Sequence, residues 1–399
     1  MQFIADLWVN IGHAWTGWLS GFLPGWAVMV INYVIVGVML VMVPVFATLG
    51  LTWMERKVIG RIQNRIGPNR VGPWGIFQAI ADAVKMLIKE DIVPDKADRP
   101  VFNLAPILIA VAAVLMWAVI PWGKGLIGQD LNIGALYVIA IGSISTLAVL
   151  MAGWSSNNKF ALIGAFRVVA QLLSYEVPMA LSVATVVIAT GTMKMGGIVT
   201  NQPVPFLVIL PLAAIVYLFS AAAETGRAPF DLIEADSEIV AGYFVEYSGL
   251  KFGWFYIAEY SNLLAISSIA TVLFLGGWRG PGAGVLPVLG PIYFVIKAIC
   301  VVFVLMWVRG TWPRFRIDQM LHFAWKVLVP ASLASLLWVA VCVKLPLPTA
   351  LQYVLMLAGN LAILAVALTL LGRSARRYAV EHEAAMRKAN AGQGAPVTA

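Results

Sequence analysis

Two carboxylic acids lie inside long apolar stretches of this chain, where they could bind and release protons. Glu176 stands in QLLSYEVPMA and Glu259 stands in FYIAEYSNLL. An ionised acid in a membrane interior is costly, so such residues face the inside of a helix bundle and usually serve transport or proton transfer. A protonated or arginine-paired acid that joins two helices is the structural alternative. Two such acids, together with a neighbouring acidic region, favour a proton path.

The neighbouring acidic region is AAAETGRAPFDLIEADSEIVAGYFVEYSG at 221–249. Helical spacing would place Asp231, Glu234 and Glu238 on one stripe, and Pro229 suits the first turn of that helix. Carboxylates held close together raise one another's pKa, which favours proton uptake near neutral pH. A solvated acidic face is the alternative, but the flanking APF and IVAGYF predict a partly buried stripe. The acids of this region are Glu224, Asp231, Glu234, Asp236, Glu238 and Glu246.

Arginines crowd a different segment, GRIQNRIGPNRVGPWG at 60–75. Its Gly-Pro pairs at 67–68 and 72–73 predict tight turns that fix the backbone. Arginines beside a helix end commonly do no more than pair with lipid phosphates, but lipid anchoring does not require a fixed backbone. The following IFQAIADAVKMLIKED is predicted to be an amphipathic helix along the membrane surface. Its apolar face consists of Ile76, Ile80, Val84, Leu87 and Ile88.

A second basic segment, VRGTWPRFRIDQMLHFAWK at 308–326, carries Arg309, Arg314, Arg316 and Asp318. The distribution of Lys and Arg residues between the loops predicts that this segment lies on the same side of the membrane as the acidic region. It could therefore pair with the acids of 221–249 or bind a partner protein.

These residues depend on a scaffold of membrane helices. Of the 399 residues, 61% are hydrophobic and 12% are charged, which excludes an ordinary soluble globule. The apolar residues fall into windows of about twenty, the length of a helix that crosses a bilayer core. Pro178 and Pro211 interrupt two of these windows. The nine apolar windows are roughly 27–53, 104–122, 134–153, 168–190, 206–223, 254–275, 291–308, 326–345 and 350–372.

The sequence thus predicts an all-α polytopic membrane protein with about nine transmembrane helices, an interfacial amphipathic helix and long cytoplasmic loops. Residues 1–26, which include Trp8, Trp15 and Trp18, form a predicted interfacial segment. If the N-terminus lies outside, 22 of the 27 Lys and Arg residues fall on the inner side, as the positive-inside rule requires. This bias predicts a membrane protein with a cytoplasmic C-terminus. It also accounts for the net charge of +8, so no nucleic-acid partner is needed.

Several kinds of site are missing from the sequence. There is no Walker A motif and no GxGxxG between a strand and a helix. Cys300 and Cys342 lie in separate apolar windows and predict neither a disulfide nor a thiolate metal site. The three histidines, His13, His322 and His382, lie near membrane edges, which excludes a haem held by two histidines. We predict no metal site and no electron carrier in the chain, so any energy coupling needs partners.

The loops resemble those of one membrane subunit of proton-pumping NADH:quinone oxidoreductase, the H-type subunit of respiratory complex I that carries the quinone chamber. GRIQNRIGPNRVG (60–72) is similar to the family's first-loop pattern, and AETGRAPFDLIEADSEIVAGYFVEY (223–247) to its fifth-loop pattern. GWSSNNKF, SYEVP and RGTWPRFRIDQ match as well. The resemblance covers about residues 27–345 and implies an eight-helix core there. An additional helix over 346–372 and a basic tail over 373–399 go beyond that core.

The resemblance implies roles for the matching residues. Arg56 and Arg65 correspond to arginines near the quinone channel, and Asp82 to an acid at its mouth. The acids of the proton path, which leads toward antiporter-like subunits, correspond to Glu176, Glu224 and Glu259. Those beneath the quinone chamber correspond to Asp231, Glu234 and Glu238.

The resemblance also implies a substrate and partners. The substrate is a quinone, either menaquinone or ubiquinone, and no flavin, haem or iron–sulfur cluster is expected in this chain. The expected partners are soluble electron-transfer subunits on the cytoplasmic side, antiporter-like membrane subunits and membrane lipid. Gly226 departs from the family's usual Asn, and LIEAD replaces the usual LPEGE, which leaves the conformation of the fifth loop open.

Two other functions are compatible with parts of this sequence. The membrane subunit of energy-converting hydrogenases shares the scaffold without a quinone substrate, but the complete arginine-rich first loop and amphipathic helix favour quinone. A stand-alone secondary transporter would use the intramembrane acids to carry a cation. That class predicts inverted repeats and paired discontinuous helices, and no convincing internal repeat is found in the sequence.

Overall fold

The computed structural model describes residues 7–231, 240, 242–283, 286 and 288–393, with side chains between 10 and 373 in those ranges. Regular structure in these ranges is helical, and the order of the helices follows the apolar windows. In chain order they are α1 (Leu7–Ser20), α2 (Gly25–Ile62), α3 (Gln78–Ile88), α4 (Arg99–Leu115), α5 (Gly134–Ser155), α6 (Lys159–Thr190), α7 (Met195–Thr200), α8 (Phe206–Ile209), α9 (Pro211–Glu224), α10 (Gly249–Phe274), α11 (Leu289–Thr311), α12 (Ile317–Phe323), α13 (Val329–Lys344) and α14 (Thr349–Gln393).

Eight of the described helices are long and apolar enough to cross a membrane, which confirms the predicted all-α polytopic fold. They are α2, α4 with a short 3-10 continuation to Val119, α5, α6, α10, α11, the segment Ile317–Lys344 that includes α12 and α13, and the part of α14 up to Arg373.

The predicted window 206–223 is a broken pair of helices, α8 and α9. Pro211 begins α9, and Leu210 before it has non-helical dihedral angles, φ −122° and ψ 57°. A proline has no backbone N–H, so it suits the first turn of a helix and ends the one before it. The pair nevertheless connects the two sides of the bundle. Gln202, before α8, binds carbonyls near the end of α10, whereas Arg227, after α9, meets the last turns of α2.

Pro178 has the opposite outcome, because α6 continues through it from Lys159 to Thr190. Neighbouring helices enclose this part of α6, and Pro178 itself is buried. Membrane helices tolerate a proline where their surroundings compensate for the missing hydrogen bond.

The first membrane helix is longer than its apolar window. The window ends near residue 53, so Glu55 just beyond it would be expected in a loop, but α2 continues to Ile62. The segment MERKVIGRI contains no proline and mostly good helix formers. The chain leaves the helix at Asn64, whose φ of 53° lies in the left-handed region that Asn tolerates. Glu55 and Arg56 are therefore held on a helix, not in a loop.

The helix α10 is the most enclosed span, and it packs against α2, α4 and α11. Polar side chains join it to its neighbours. Trp117 Nε1 donates to Ser261 Oγ at 3.0 Å, and the Tyr217 hydroxyl donates to the carbonyl of Ile266 at 3.0 Å. At its far end, Lys297 Nζ donates to the carbonyls of Leu275 and Gly277. Lysine thereby satisfies backbone acceptors where the helix ends.

The last helix, α14, packs on α13 and also contacts α8 and α9, the broken pair. Two contacts fix its register against α13. The Ser335 hydroxyl donates to Asn360 Oδ1 at 2.8 Å in a fully buried position. Trp338 lies over Gly359 and donates through Nε1 to the carbonyl of Leu355 at 3.0 Å. Small residues permit such close approach between membrane helices.

We expect Gly359→Ala to loosen α14, because a methyl group there would overlap the indole ring of Trp338. Overpacking of this kind costs about 1–3 kcal/mol, and Trp338 would also lose its hydrogen bond. Gly372→Ala on the same helix is the control, since no atom lies within 4 Å of its added methyl. The thermal unfolding temperature of the purified protein should fall for Gly359→Ala only. Equal shifts of the unfolding temperature for the two variants would contradict the close contact between Gly359 and Trp338.

Candidate functional site

A buried ion cluster joins three distant parts of the chain at the ends of α2, α9 and α11. Glu55 of α2 accepts hydrogen bonds from Arg227, which follows α9, and from Arg309 of α11. The Glu55 and Arg227 side chains are only 4% and 1% exposed. Arg227 also lies 3.7 Å from the carboxylate of Glu259 and stacks over the ring of Tyr260 at 4.9 Å.

Charge balance explains why this cluster can be buried. Burying an unpaired charge costs several kcal/mol, and opposite charges with good hydrogen bonds offset much of that cost. Two arginines here face two carboxylates, those of Glu55 and Glu259. Burial alone would lower the pKa of Arg227, but the charges of Glu55 and Glu259 outweigh it and raise that pKa above its usual value. Arg227 is therefore a permanent cation in the middle of the cluster.

Two acids of the predicted proton path, Glu224 and Glu259, come together beside this cluster. Glu224 and Glu259 line one cavity of about 70 Å³ between α4, α5, α6 and α10, together with Ser145 and Asn262. A cavity of this size has room for several water molecules, and polar groups at its wall are needed to hold them. The buried atoms Glu224 Oε2 and Asn262 Oδ1 accept no hydrogen bond from the described residues.

The helix α5 brings Glu176 and Glu224 to adjacent positions. The Ser143 hydroxyl donates to Glu176 Oε1. Gly142, the preceding residue, faces Glu224, and a methyl group there would lie 3.2 Å from Glu224 Oε1. Glu259, Glu224 and Glu176 thus form a row that begins at Arg227.

Residues 229–231 do not begin the helix predicted at Pro229, and the rest of that predicted helix lies outside the described residues. The Ala228–Pro229 peptide is cis, and the chain makes a turn. Tertiary contacts hold this turn, because the Phe230 ring packs on Tyr175 and Gln171 Nε2 donates to the carbonyl of Phe230 at 2.9 Å.

Asp231 is buried and accepts a hydrogen bond from Arg314 Nη2 at 2.8 Å. The backbone N–H of Phe315 also donates to the carbonyl of Pro229 at 3.0 Å. The basic segment 308–326 therefore pairs with the acidic region, one of the two arrangements left open by the sequence. Glu234, Asp236 and Glu238 lie outside the described residues.

The first-loop residues line an open cleft of about 740 Å³. Arg56, Arg65 and Arg70 contribute three cations to its wall, and the segment 66–69 and Gln78 complete it. Arg56 Nη1 donates to Asp82 Oδ2 at 2.6 Å, and Gln78 donates to the other oxygen of that carboxylate at 3.2 Å. The predicted residues Arg56 and Arg65 therefore share one cleft, and Asp82 holds Arg56 at its edge.

The pKa of the Asp82 carboxyl reflects these contacts. Burial alone would raise that pKa, but the hydrogen bond and positive charge of Arg56 outweigh burial and lower it below its ordinary value. Asp82 is thus a carboxylate at neutral pH. It lies on α3, the predicted amphipathic helix, whose Ile80, Leu87 and Ile88 are exposed as a membrane-facing surface requires.

The cleft has a fixed backbone. Trp74 has a left-handed φ of 54°, and its carbonyl accepts a hydrogen bond from Trp53 Nε1 at 3.1 Å. Gly75 approaches the carbonyl of Pro68 so closely that an added methyl would overlap the oxygen. The turns predicted from the Gly-Pro pairs therefore close the loop on itself and on the end of α2.

Sequence reasoning does not bring Glu55, Arg227 and Arg309 together in one site. It places Glu55 in a loop because the apolar window ends two residues earlier, and loop acids are normally solvated. One signal is available, since Glu55 is the only acid between residues 7 and 81. Its partners follow 172 and 254 positions later in the chain, and no local pattern relates such positions.

Comparison with known proteins identifies relatives of this chain. A family model described as NADH dehydrogenase matches residues 34–340. The H-type subunit of NADH-quinone oxidoreductase from Dehalococcoides mccartyi strain CBDB1 is 54% identical over 285 residues, which are 71% of this chain and 79% of the relative. The corresponding protein of Bacteroides thetaiotaomicron is 45% identical over 346 residues, 82% and 96% of the two chains. That of Geobacillus kaustophilus is 44% identical over 326 residues, 81% and 97% of the two chains.

Proposed function

Because the chain belongs to the NADH dehydrogenase family, as an H-type subunit of NADH-quinone oxidoreductase, we propose specific roles for its cleft and its buried acids. The chain is a membrane subunit of this oxidoreductase complex, which links quinone reduction to proton translocation. We propose that the arginine-lined cleft is one wall of the quinone site and that Glu259, Glu224 and Glu176 carry the proton response into the membrane.

The observation that carries this proposal is the connection between the two sites. Arg56, at the cleft, follows Glu55 directly on α2, and Glu55 binds Arg227. Arg227 contacts Glu259, which shares its cavity with Glu224. A change of charge at the cleft therefore reaches the intramembrane acids through buried ion pairs, where electrostatic interactions are stronger than in water.

The chemistry of a quinone fits this arrangement. Its apolar tail can enter from lipid past the apolar face of α3, and its reduction leaves negative charge that must be neutralised by protons. Arg56 and Arg65 would stabilise that charge at the head group. Asp231, held by Arg314, is proposed to respond with the acidic loop beneath the site, together with Glu234 and Glu238. Menaquinone and ubiquinone both satisfy this description.

Orientation and partners follow from the same proposal. The basic loops face the cytoplasm, with the N-terminus outside and the C-terminus inside the bacterial plasma membrane. Soluble subunits that carry flavin and iron–sulfur clusters would cover the cleft and bring electrons, since this chain is proposed to hold no such group. Antiporter-like membrane subunits would receive the proton response beyond Glu176.

Affinity purification of the tagged chain from gently solubilised membranes tests the proposal. Co-elution of flavin and iron–sulfur proteins with inhibitor-sensitive NADH:quinone reductase activity is expected. A chain that elutes alone and moves cations in liposomes would indicate a transporter. A nickel-containing partner without quinone activity would indicate the hydrogenase relative.

Asp82→Asn is expected to weaken quinone binding by releasing Arg56. The KM for quinone should rise by up to about fivefold, because the free energy contributed by a partly exposed ion pair corresponds to about that factor. Asp95→Asn, in the exposed part of the same loop, is the control and should leave the KM unchanged.

The pH dependence of this effect follows from the sign of the pKa shift. The folded pKa of Asp82 is lowered, so the ion pair is fully present above the unfolded value of about 3.9. It is lost only as the pH falls through the lower folded pKa. The KM ratio of variant to parent should therefore be constant between about pH 6 and about pH 8. A ratio that approaches one toward the acidic end would contradict this role of Asp82.

A further inference from the structure

A groove between α13 and α14 shares no residue with the arginine-lined cleft or with the row of buried acids. Its volume is about 350 Å³. Pro330 and Ala334 form one wall, and Ile363, Val366 and Leu370 form the other. These residues are half-buried or exposed, so the groove opens toward the space that lipid acyl chains occupy.

Lys326 lines one end of this groove, and the backbone there is unusual. Residues Ala324–Leu328 form a π-helical turn, in which the N–H of Val329 bonds to the carbonyl of Ala324 five positions earlier. Pro330 explains the wide turn, because it cannot donate to the carbonyl of Lys326 and its ring would clash with that carbonyl in an α-helix. Single π turns of this kind are frequent at functional sites.

The charge at this end of the groove is positive and uncompensated by the described residues. Lys326 is exposed and forms no ion pair within that part of the chain. Arg373 follows the lining residues Leu370 and Leu371 on α14 and is also exposed. Lys326 stands at the start of the predicted apolar window 326–345, and Arg373 ends the candidate span Thr349–Arg373. We therefore expect both cations near the membrane surface, where lipid head groups lie.

We infer that this groove binds one anionic phospholipid of the surrounding bilayer. One acyl chain lies between α13 and α14, and the phosphate contacts Lys326, with Arg373 near it. Charge complementarity carries this assignment, because a neutral lipid would match the apolar walls but not the cations at their end. The bound lipid fills the space between the two helices and secures α14 on the bundle. This inference does not depend on the proposed quinone site.

Photolabelling of the purified complex tests the inference. The complex is reconstituted with phosphatidylglycerol that carries a diazirine on an acyl chain, irradiated and digested, and labelled peptides are identified by mass spectrometry. Labels are expected on 327–334 and 363–371, and excess phosphatidylglycerol should displace them while phosphatidylcholine should not. Equal displacement by the two lipids, or no label on these segments, would overturn the inference.

Matched variants separate the head-group contact from the groove itself. Lys326→Gln should lower labelling about fivefold, since a basic residue near an anionic lipid surface contributes roughly that factor, and Lys326→Arg should retain it. Lys344→Gln, at the other end of α13, should leave labelling unchanged. Ala334→Trp should block the groove, whereas Val341→Trp on an exposed face outside it should not. Unchanged labelling in both Lys326→Gln and Ala334→Trp would overturn the inference.

Discussion

Glu55→Gln is expected to lower the amount of assembled complex severely, because it leaves Arg227 and Arg309 facing each other without their shared carboxylate. Removing one partner of a buried ion pair costs about 3–5 kcal/mol, and Arg227 is almost completely buried. Many proteins have a total stability of roughly 5–15 kcal/mol, so a loss of this size is large. Native gels with immunodetection would measure assembled complex, and NADH:quinone reductase activity per assembled complex would measure the effect on catalysis.

A compensating variant distinguishes charge from packing in this cluster. Glu55→Gln combined with Arg309→Gln removes one charge of each sign, so assembly should recover partly relative to Glu55→Gln alone. Glu90→Gln, an exposed glutamate on the same side of the bundle, is the control for a single lost acid and should assemble normally. Additive losses in the double variant would mean that Glu55 acts through something other than its ion pairs.

The second large effect is expected for Glu224→Gln, which should abolish most proton pumping while the complex still assembles. Gln has the same shape as Glu and fits against Gly142 and the small cavity, but it cannot accept and release a proton. Loss of a positioned proton-transfer group typically lowers a rate on the order of a hundredfold. Proteoliposomes that contain the complex would report proton uptake through a pH-sensitive dye and quinone reduction through NADH absorbance.

The same proton-pumping assay, applied to variants of other acids, tests which residues belong to the row of buried acids. Glu176→Gln should lower pumping more than it lowers assembly, because its carboxylate adjoins that of Glu224 along α5. Asp130→Asn is the matched control, since this acid is exposed and only approaches Lys194 at 4.0 Å. Normal pumping by assembled Glu224→Gln enzyme would exclude Glu224 from the proton path.

Three prolines of this chain show that the effect of a proline on the backbone depends on its tertiary surroundings. Pro178, Pro211 and Pro229 all lack a donor N–H, yet the first lies inside a continuous helix, the second begins one and the third lies in a turn. The surroundings decide among these outcomes. Helices enclose Pro178, whereas Gln171, Tyr175 and Phe315 hold Pro229 and Phe230 through contacts that sequence spacing does not reveal.

The sequence by itself determined the membrane scaffold and the types of residue in the site. Apolar windows about twenty residues long require helices in lipid, because every backbone polar group must be satisfied within the segment. The same reasoning identified the amphipathic helix α3, the turns of the first loop, and Glu176, Glu224 and Glu259 as unusual acids in or beside spans. Each of these conclusions depends on neighbouring residues only.

The tertiary structure decided which charges meet. Glu55 looks like a loop acid in the sequence, and it becomes the centre of a buried cluster because α2 continues past its apolar window and because α9 and α11 end beside it. The cost of burying a charge depends on what lies opposite, and residues 172 and 254 positions away supply the opposite charges. Hydrophobicity fixes where helices cross a membrane, whereas the pairing of their ends fixes the electrostatics of the site.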